Sequence, residues 1–327
     1  MRKLHTVKKI AIRNEVDRFG FSHLLARKFG LNTVPRSFAC FAHGWTWNTN
    51  LKIEDFGYFF TPRMVPIVVA TKYQQEFLIN SGFSNVHAGG LPFAYVEKSN
   101  FERKPGSLLI MPPHSMKFDG ISGIDSKLLN YIETIKYNFS DICFCLHMED
   151  YNDIEITAAL RQRNINFIPG ADPSDANSLL RTREIFDSYE YVTSTIMGSH
   201  ILYAAFCGCK VSILKSYFHS YSKNTFLNYS MIQSIQGLEQ RYIERFNNLK
   251  KLEHQFPWLF VDHPIKAVEM LDWSRNEIGY NNLMSKDILM KVLGWTVSAR
   301  VSALIRAVSL RTFKIANRFC NLIGKKL

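Results

Sequence analysis

Short apolar runs recur along this chain, and most are closed by Gly, Pro or a cluster of hydroxyl residues. Residues 15–29 follow a helical pattern. Residues 37–42 are a short apolar run ending in His43-Gly44, which predicts a strand and a sharp turn. Residues 65–70 (VPIVVA) form a second apolar strand, and Pro66 predicts that it starts late. Thr71 can cap a helix over 72–80, with Gly82 as its stop. Residues 85–88 then lead into Gly89-Gly90-Leu91-Pro92. Strand, helix, Gly stop, strand is the rhythm of a βαβ unit.

A polar connector, 97–107 (EKSNFERKPGS), separates this from a second alternating series. Strands are predicted at 108–111, 142–146, 166–168, 191–193 and 210–214. Helices are predicted at 126–137, 153–163, 178–188 and 199–207, the last stopped by Gly208. From about 215 the pattern is largely helical. Alternating strands and helices specify parallel sheets, so the fold class is α/β with two Rossmann-like halves and a helical C-terminal extension. The expected boundaries are 1–104, 105–285 and 286–327. In open parallel sheets, ligands bind beyond the carboxyl ends of the strands. Four polar clusters fall at such ends: His43-Gly44, His114-Ser115, Gly170-Ala171-Asp172 and residues 194–199.

Charge changes the picture. The chain of 327 residues has 40 Lys+Arg against 28 Asp+Glu, net +12. The first 13 residues hold five basic groups and no acid, and residues 288–327 hold eight and no acid. The remainder has 27 basic against 28 acidic residues. A nucleic-acid enzyme carries its basic stripe on a folded face, so this distribution points away from nucleic acid and toward attachment of the ends to something anionic. Four of the six cysteines lie in apolar runs, where a free thiol behaves as a small hydrophobe. The C-x-C pairs lack zinc-ribbon spacing, so no metal site is expected. No signal peptide is evident, and no window offers the ~18 uninterrupted apolar residues of a membrane-crossing helix. These features predict a reducing, cytoplasmic setting.

Candidate chemistry concentrates at the strand ends. Thr193 to Ser199 (TSTIMGS) leaves a strand and opens a helix, offering hydroxyls and backbone N–H groups to a phosphate. The plain alternative is that Ser194 or Ser199 only caps the helix. His114, beside Lys117 and next to the connector, could neutralise or protonate a leaving phosphate. His43 could deprotonate an acceptor hydroxyl, or simply bond a backbone carbonyl. Asp172 is a candidate for a general base or a ribose contact. There is no P-loop, no G-x-G-x-x-G, and no Asp-x-Asp flanked by an apolar strand, so no carboxylate-held metal is indicated.

Three segments carry a resemblance. Residues 67–96 (IVVATKYQQEFLINSGFSNVHAGGLPFAYV) look like the close of the first domain in GT-B glycosyltransferases of bacterial surface polysaccharide synthesis. Residues 108–115 (LLIMPPHS) resemble the opening of the second domain. Residues 191–214 (YVTSTIMGSHILYAAFCGCKVSIL) resemble the donor-site pattern, and residues 267–295 resemble the helical closure of such transferases. The resemblance implies a GT-B-like pair of domains, the first on the acceptor side and the second binding a nucleotide sugar. It implies that Ser194, Thr195, Gly198 and Ser199 hold the donor phosphates, faced by His114 and Ser115. It places Gly170 and Asp172 near the base and ribose, and matches His43-Gly44 to an acceptor-side His-Gly turn. The resemblance implies inverting, metal-independent transfer with no cofactor besides the nucleotide-sugar donor. The implied partners are a nucleotide sugar and a growing glycan of capsule or lipopolysaccharide type. The rival readings are a polyol-phosphate transferase, a sugar-nucleotide epimerase on the same frame, and a non-catalytic basic membrane- or nucleic-acid-binding protein.

The last segment bears on location. Residues 296–323 contain no Gly or Pro. At about 100° per residue, Arg300, Arg311, Lys314, Arg318 and Lys325 share one stripe. Val297, Val301, Leu304 and Ile305 begin a broader apolar stripe beside it. The pattern predicts a helix lying on an anionic membrane surface through 296–327, on the inner face of the cytoplasmic membrane, where a lipid-linked acceptor would sit. The alternative is a helix whose apolar face packs on the body.

Overall fold

The computed structural model describes residues 3–47, 51–56, 63–113, 124–217 and 251–305. His114, Ser115 and residues 306–327 lie outside that set. Two parallel sheets organise the chain. In the first, β1 (Cys40–Phe41), β2 (Ile67–Val69) and β3 (Val86–Ala88) run side by side in chain order, all parallel. β2 begins directly after Pro66, since Pro has no N–H for the ladder. Thr71 caps α2 (Lys72–Asn80) in a capping box with Gln74.

The predicted helix over 15–29 is broken instead. A 3-10 turn, Glu15–Gly20, gives way to α1 (Phe21–Lys28), with Phe19 at φ 57° between them. Asp17 explains the break: its buried carboxylate accepts from the Arg13 N–H (2.9 Å) and the Ser22 hydroxyl (2.5 Å). The Phe19 N–H goes to the Pro173 carbonyl (2.8 Å) rather than into a helix.

The second sheet holds β4 (Lys104–Met111), β5 (Asp141–Leu146), β6 (Asn166–Pro169), β7 (Tyr189–Ser194) and β8 (Lys210–Leu214). Its spatial order is β6-β5-β4-β7-β8, all parallel. β9 (Phe260–Val261) and the antiparallel β10 (Val268–Glu269) finish the β8 edge. Both faces of the sheet are covered, so Leu108, Leu109 and Ile110 of β4 are each 0% exposed. Such side chains contribute about 1.5–3 kcal/mol apiece by burial. α3 (Ser126–Ile135), α4 (Met148–Tyr151), α5 (Ile154–Gln162), α6 (Ser178–Ser188) and α7 (Ser199–Phe206) connect the strands. The α/β class and its parallel sheets are therefore as the pattern predicted.

The two sheets share one continuous core. Phe93, after the first sheet, stacks on Tyr203 of α7 with ring centroids 4.4 Å apart. Beyond β10, α8 (Leu271–Glu277) packs on α7, and α9 (Lys286–Val292) follows. The chain returns to the first sheet after α8: Leu91 N–H donates to the Ile278 carbonyl at 2.9 Å. Gly279 has φ 73°, and a side chain there would strike the Ala70 carbonyl, so the close approach requires glycine.

Two expectations about the ends change. The basic N-terminus is folded onto the body. Lys9 pairs with Asp172, Arg13 pairs with Asp17 (3.0 Å), and Ala176 N–H donates to the Lys8 carbonyl (2.9 Å). Lys9 and Arg13 thus have carboxylate partners while their side chains stay 64% and 41% exposed. At the other end, residues 286–305 are long and apolar enough to cross a membrane, the one such stretch among the described residues. A turn at Gly294 (φ 73°) breaks that stretch after α9. The helical residues beyond it leave Val297 84%, Val301 51% and Ile305 62% exposed. Among the described residues, this apolar stripe is not packed on the body.

Candidate functional site

The order of the second sheet fixes where a crevice opens. From β4 the chain steps outward through β5 and β6, then returns to the other side of β4 for β7 and β8. The carboxyl ends of β4 and β7 are thus the point where the winding reverses, the usual ligand crevice of an open parallel sheet. The Ser194 hydroxyl bridges them, donating to the Met111 carbonyl at 2.6 Å and accepting from the Ile196 N–H at 3.2 Å. Ser194 is 0% exposed. It ties two strand ends together and is not offered to a ligand, which corrects its expected phosphate role. Thr193 is engaged likewise, with Ser212 (3.0 and 3.3 Å). Thr195, one residue further, makes no side-chain hydrogen bond to a described residue.

α7 opens at this crevice. Its cap, Gly198, is in extended conformation, so φ does not demand glycine; the His200 ring does. A Cβ on Gly198 would lie 2.8 Å from the His200 imidazole. The backbone N–H groups of Ser199 and His200 have no acceptor among the described residues. The Ser199 hydroxyl faces the other half, accepting from the Trp45 N–H at 2.8 Å. One helical turn on, the Tyr203 hydroxyl donates to the His43 carbonyl at 2.8 Å. The turn after β1 and the start of α7 are therefore held against each other. Two clusters 155 residues apart in sequence, His43-Gly44 and Gly198-Ser199, form one locus.

His43 keeps its side chain about 40% exposed. Its Nδ1 is 3.7 Å from Glu15 Oε2, and its ring lies 5.8 Å from that of Phe19. Desolvation lowers its pKa below the ordinary 6.5; Glu15 opposes the shift and Arg18 adds to it. The lowered pKa favours the neutral imidazole at pH 7, with the Glu15 carboxylate nearby as a charge that opposes the shift, as does a backbone hydrogen bond with Phe41.

Three residues that the sequence did not single out belong here. Trp45 bridges the halves, donating its indole N–H to Glu277 Oε2 at 2.8 Å as well as its backbone N–H to Ser199. Glu277, at the end of α8, has its pKa raised by burial, with the indole hydrogen bond opposing. His200 is the third: its Nε2 is sealed from solvent without a partner, and burial drives its pKa down to about 4. Trp45 packs edge-on against Trp47 (5.8 Å) and Trp273 (5.3 Å), which fixes its indole. Trp45 and His200 adjoin the motifs already noted. Glu277 comes from a distant helix, and its E-x7-E spacing from Glu269 is the sequence signal that could have found it.

The Gly170–Asp172 cluster reaches the same edge of the sheet, but β6 lies three strand spacings from β7, about 14 Å. Gly170 fits because a side chain there would meet the Leu146 carbonyl at 2.9 Å, and its own carbonyl accepts from Arg181 (3.0 Å). Arg181 and Asp175 form a buried ion pair at 2.5 Å. Asp172 is 5% exposed. One of its oxygens pairs with Lys9, and the other accepts from Ser174 N–H and Oγ (2.8 Å each). Burial alone would raise its pKa, but those bonds outweigh burial and the net shift is downward. Asp172 anchors the N-terminal segment through these bonds. His114 and Ser115, which follow β4, lie outside the described residues. No group of three or more His, Cys, Asp or Glu able to hold a metal ion occurs among the described residues.

No protein-family model and no curated protein matches the chain. Among solved structures, a point mutant of S. aureus TarM in complex with fondaparinux, α-GlcNAc-glycerol and UDP is similar at TM-score 0.30 and 11% identity. That match covers 83% of this chain and 52% of the TarM chain. A second TarM crystal structure is similar at TM-score 0.31 and 12% identity, with the same coverage of 83% and 52%. The chain spans about half the length of the proteins it matches in these structures.

Proposed function

We propose that the chain is a glycosyltransferase moving a sugar from a nucleotide donor to an acceptor hydroxyl. The observation that carries this reading is the pairing of Trp45 N–H with Ser199 Oγ at 2.8 Å. It sets the turn after a strand of one parallel sheet against the first helix turn beyond the winding reversal of the other. A donor with its phosphates at the start of α7 would have its sugar beside His43.

In this mechanism the free N–H groups of Ser199 and His200 and the Thr195 hydroxyl receive the donor phosphates. His114 and Ser115 are assigned to the leaving phosphate from the resemblance. His43 Nε2 takes the proton from the acceptor hydroxyl. The freed oxygen bonds the anomeric carbon, and the carbon–phosphate oxygen bond breaks with its electron pair leaving on the phosphate. Fixed N–H donors stabilise that developing charge, and Glu15 stabilises the imidazolium. The reaction inverts the anomeric centre, and the sequence offers no Asp-x-Asp to demand a metal. The acceptor is a lipid-linked surface glycan, met at the inner face of the cytoplasmic membrane through residues 296–327. The exposed row Val297, Val301, Leu304 and Ile305 supports that attachment.

The test is release of free nucleotide from a panel of nucleotide sugars, read by mass spectrometry. Turnover that falls at least a hundredfold in His114→Ala and His43→Ala supports the reading. Turnover untouched by both substitutions would overturn the assigned mechanism.

A further inference from the structure

A cavity of about 750 Å³ lies away from the His43–Ser199 locus, where α1, α6, the N-terminal segment and the connector between the sheets meet. Its size is that of a small-molecule site. Its charge is one-sided. Lys3, Arg27, Lys98 and Arg183 line it, and the two lining carboxylates already have partners. Glu97 binds Lys28 (3.0 Å), and Glu184 binds His5 (2.6 Å). Lys3 and Lys98 have no acidic partner among the described residues. Arg27 donates only to uncharged oxygens, Ala176 O and Asn177 Oδ1 (3.4 Å each). Arg183 is 7% exposed and uses Nε on Asp187 (2.9 Å), while its terminal nitrogens are neither bonded nor sealed.

The remaining wall is apolar: Leu24 of α1, Val96 and Phe101 of the connector, and Leu180 of α6. A bare anion would satisfy the cations and leave that wall wet. A purely apolar ligand would leave Arg27, Lys3 and Lys98 without a counter-charge and the terminal nitrogens of Arg183 without an acceptor. We propose that this cavity binds a phosphate monoester carrying an apolar chain, its phosphate on Arg27, Arg183, Lys3 and Lys98 and its chain along Leu24, Val96, Phe101 and Leu180. Guanidinium forks suit phosphate oxygens, and both ends of such a ligand would be matched. Because the connector forms part of the wall, an occupied cavity would brace one half against the other. The inference stands on the cavity itself and does not depend on the transfer chemistry.

The test uses the full chain and farnesyl monophosphate in isothermal titration, with inorganic phosphate, farnesol and uridine monophosphate as comparisons. The expected result is that farnesyl monophosphate binds at least tenfold more tightly than each of the three. Arg27→Gln with Lys98→Glu should weaken it at least tenfold while the unliganded melting temperature stays unchanged. Lys3→Glu, on a separate segment, should weaken it severalfold and provides a second variant. Unchanged affinity in these variants would overturn the proposal. So would equal or tighter binding of inorganic phosphate, farnesol or uridine monophosphate, or no binding of farnesyl monophosphate at millimolar concentration.

Discussion

Trp45 donates its backbone N–H to the Ser199 hydroxyl at 2.8 Å, and this bond joins the end of one sheet to the opening of a helix on the other. Ser199→Ala leaves the Trp45 N–H without its acceptor. A lost hydrogen bond of this kind costs about 1 kcal/mol. Ser199→Ala should therefore lower the melting temperature by a few degrees and weaken nucleotide binding together. Calorimetry and titration on the same preparation check both. A loss of stability with unchanged nucleotide affinity would confine Ser199 to a structural role.

His43 supplies a pH signature. Its pKa lies below 6.5, mainly through desolvation. A general base must be unprotonated, so turnover should be level across neutral pH and fall only in acid below that ordinary value. Glu15→Gln removes the group that opposes the shift. The acid limb should then move to lower pH, with a smaller maximal rate. A limb that stays in place would remove Glu15 from the account.

His200 makes stability pH-dependent. It is neutral in the fold with a pKa near 4, against 6.5 when exposed. Between those values the unfolded chain binds the extra proton, so stability rises with pH through this window and is lost on acidification. Complete loss of this contribution is worth up to about 3 kcal/mol. Denaturant midpoints of the wild type should fall steeply from pH 6.5 toward 4, and His200→Phe should flatten that slope. An unchanged slope would contradict the burial of His200.

The Arg181–Asp175 pair, 2% and 0% exposed, sits under the Gly170 turn. Asp175→Asn leaves a buried guanidinium without its counter-charge, which costs about 3–5 kcal/mol. Asp175→Ala should in addition free the N-terminal segment, since Asp175 Oδ1 accepts from the Lys8 N–H at 2.7 Å. Hydrogen exchange at residues 5–10 should rise in this variant. Protection equal to wild type would show that the segment's remaining contacts, Lys9–Asp172 and the Ala176 N–H to Lys8 carbonyl bond among them, suffice to hold it.

Membrane attachment is assigned to the far end of the chain. Deleting 296–327 should abolish sedimentation with anionic vesicles. Val297→Asp with Val301→Asp, both exposed in the fold, should reduce it severalfold without altering stability. Binding retained by the deletion would place attachment elsewhere.

The second sheet was legible because each strand is a short apolar run with its own stop, as at Gly208, and because buried parallel strands read as unbroken hydrophobic stretches. The capping box at Thr71 was likewise written in a four-residue window. What the sequence hid was long-range. Asp17 breaks the N-terminal helix through bonds to Arg13 and Ser22, and no periodicity records that. Asp172 looked catalytic because it follows a strand, but Lys9, from 163 residues away, claims it. Ser194 looked like a phosphate donor until Met111 came beside it. The Trp45–Glu277 bond spans 232 residues, and although Glu277 stands at E-x7-E spacing from Glu269, nothing local pairs it with Trp45.

The central claim is a nucleotide held at the start of α7. A thermal-shift panel of nucleoside mono- and diphosphates tests it most directly, because a ligand that prefers the folded state stabilises it by about 2.7 kcal/mol at a hundredfold excess over its Kd. The account predicts that one nucleotide raises the melting temperature by several degrees and that Gly198→Val, which drives a side chain into the His200 ring, abolishes the shift. A panel in which no nucleotide moves the melting temperature, or in which Gly198→Val responds like the wild type, would contradict it.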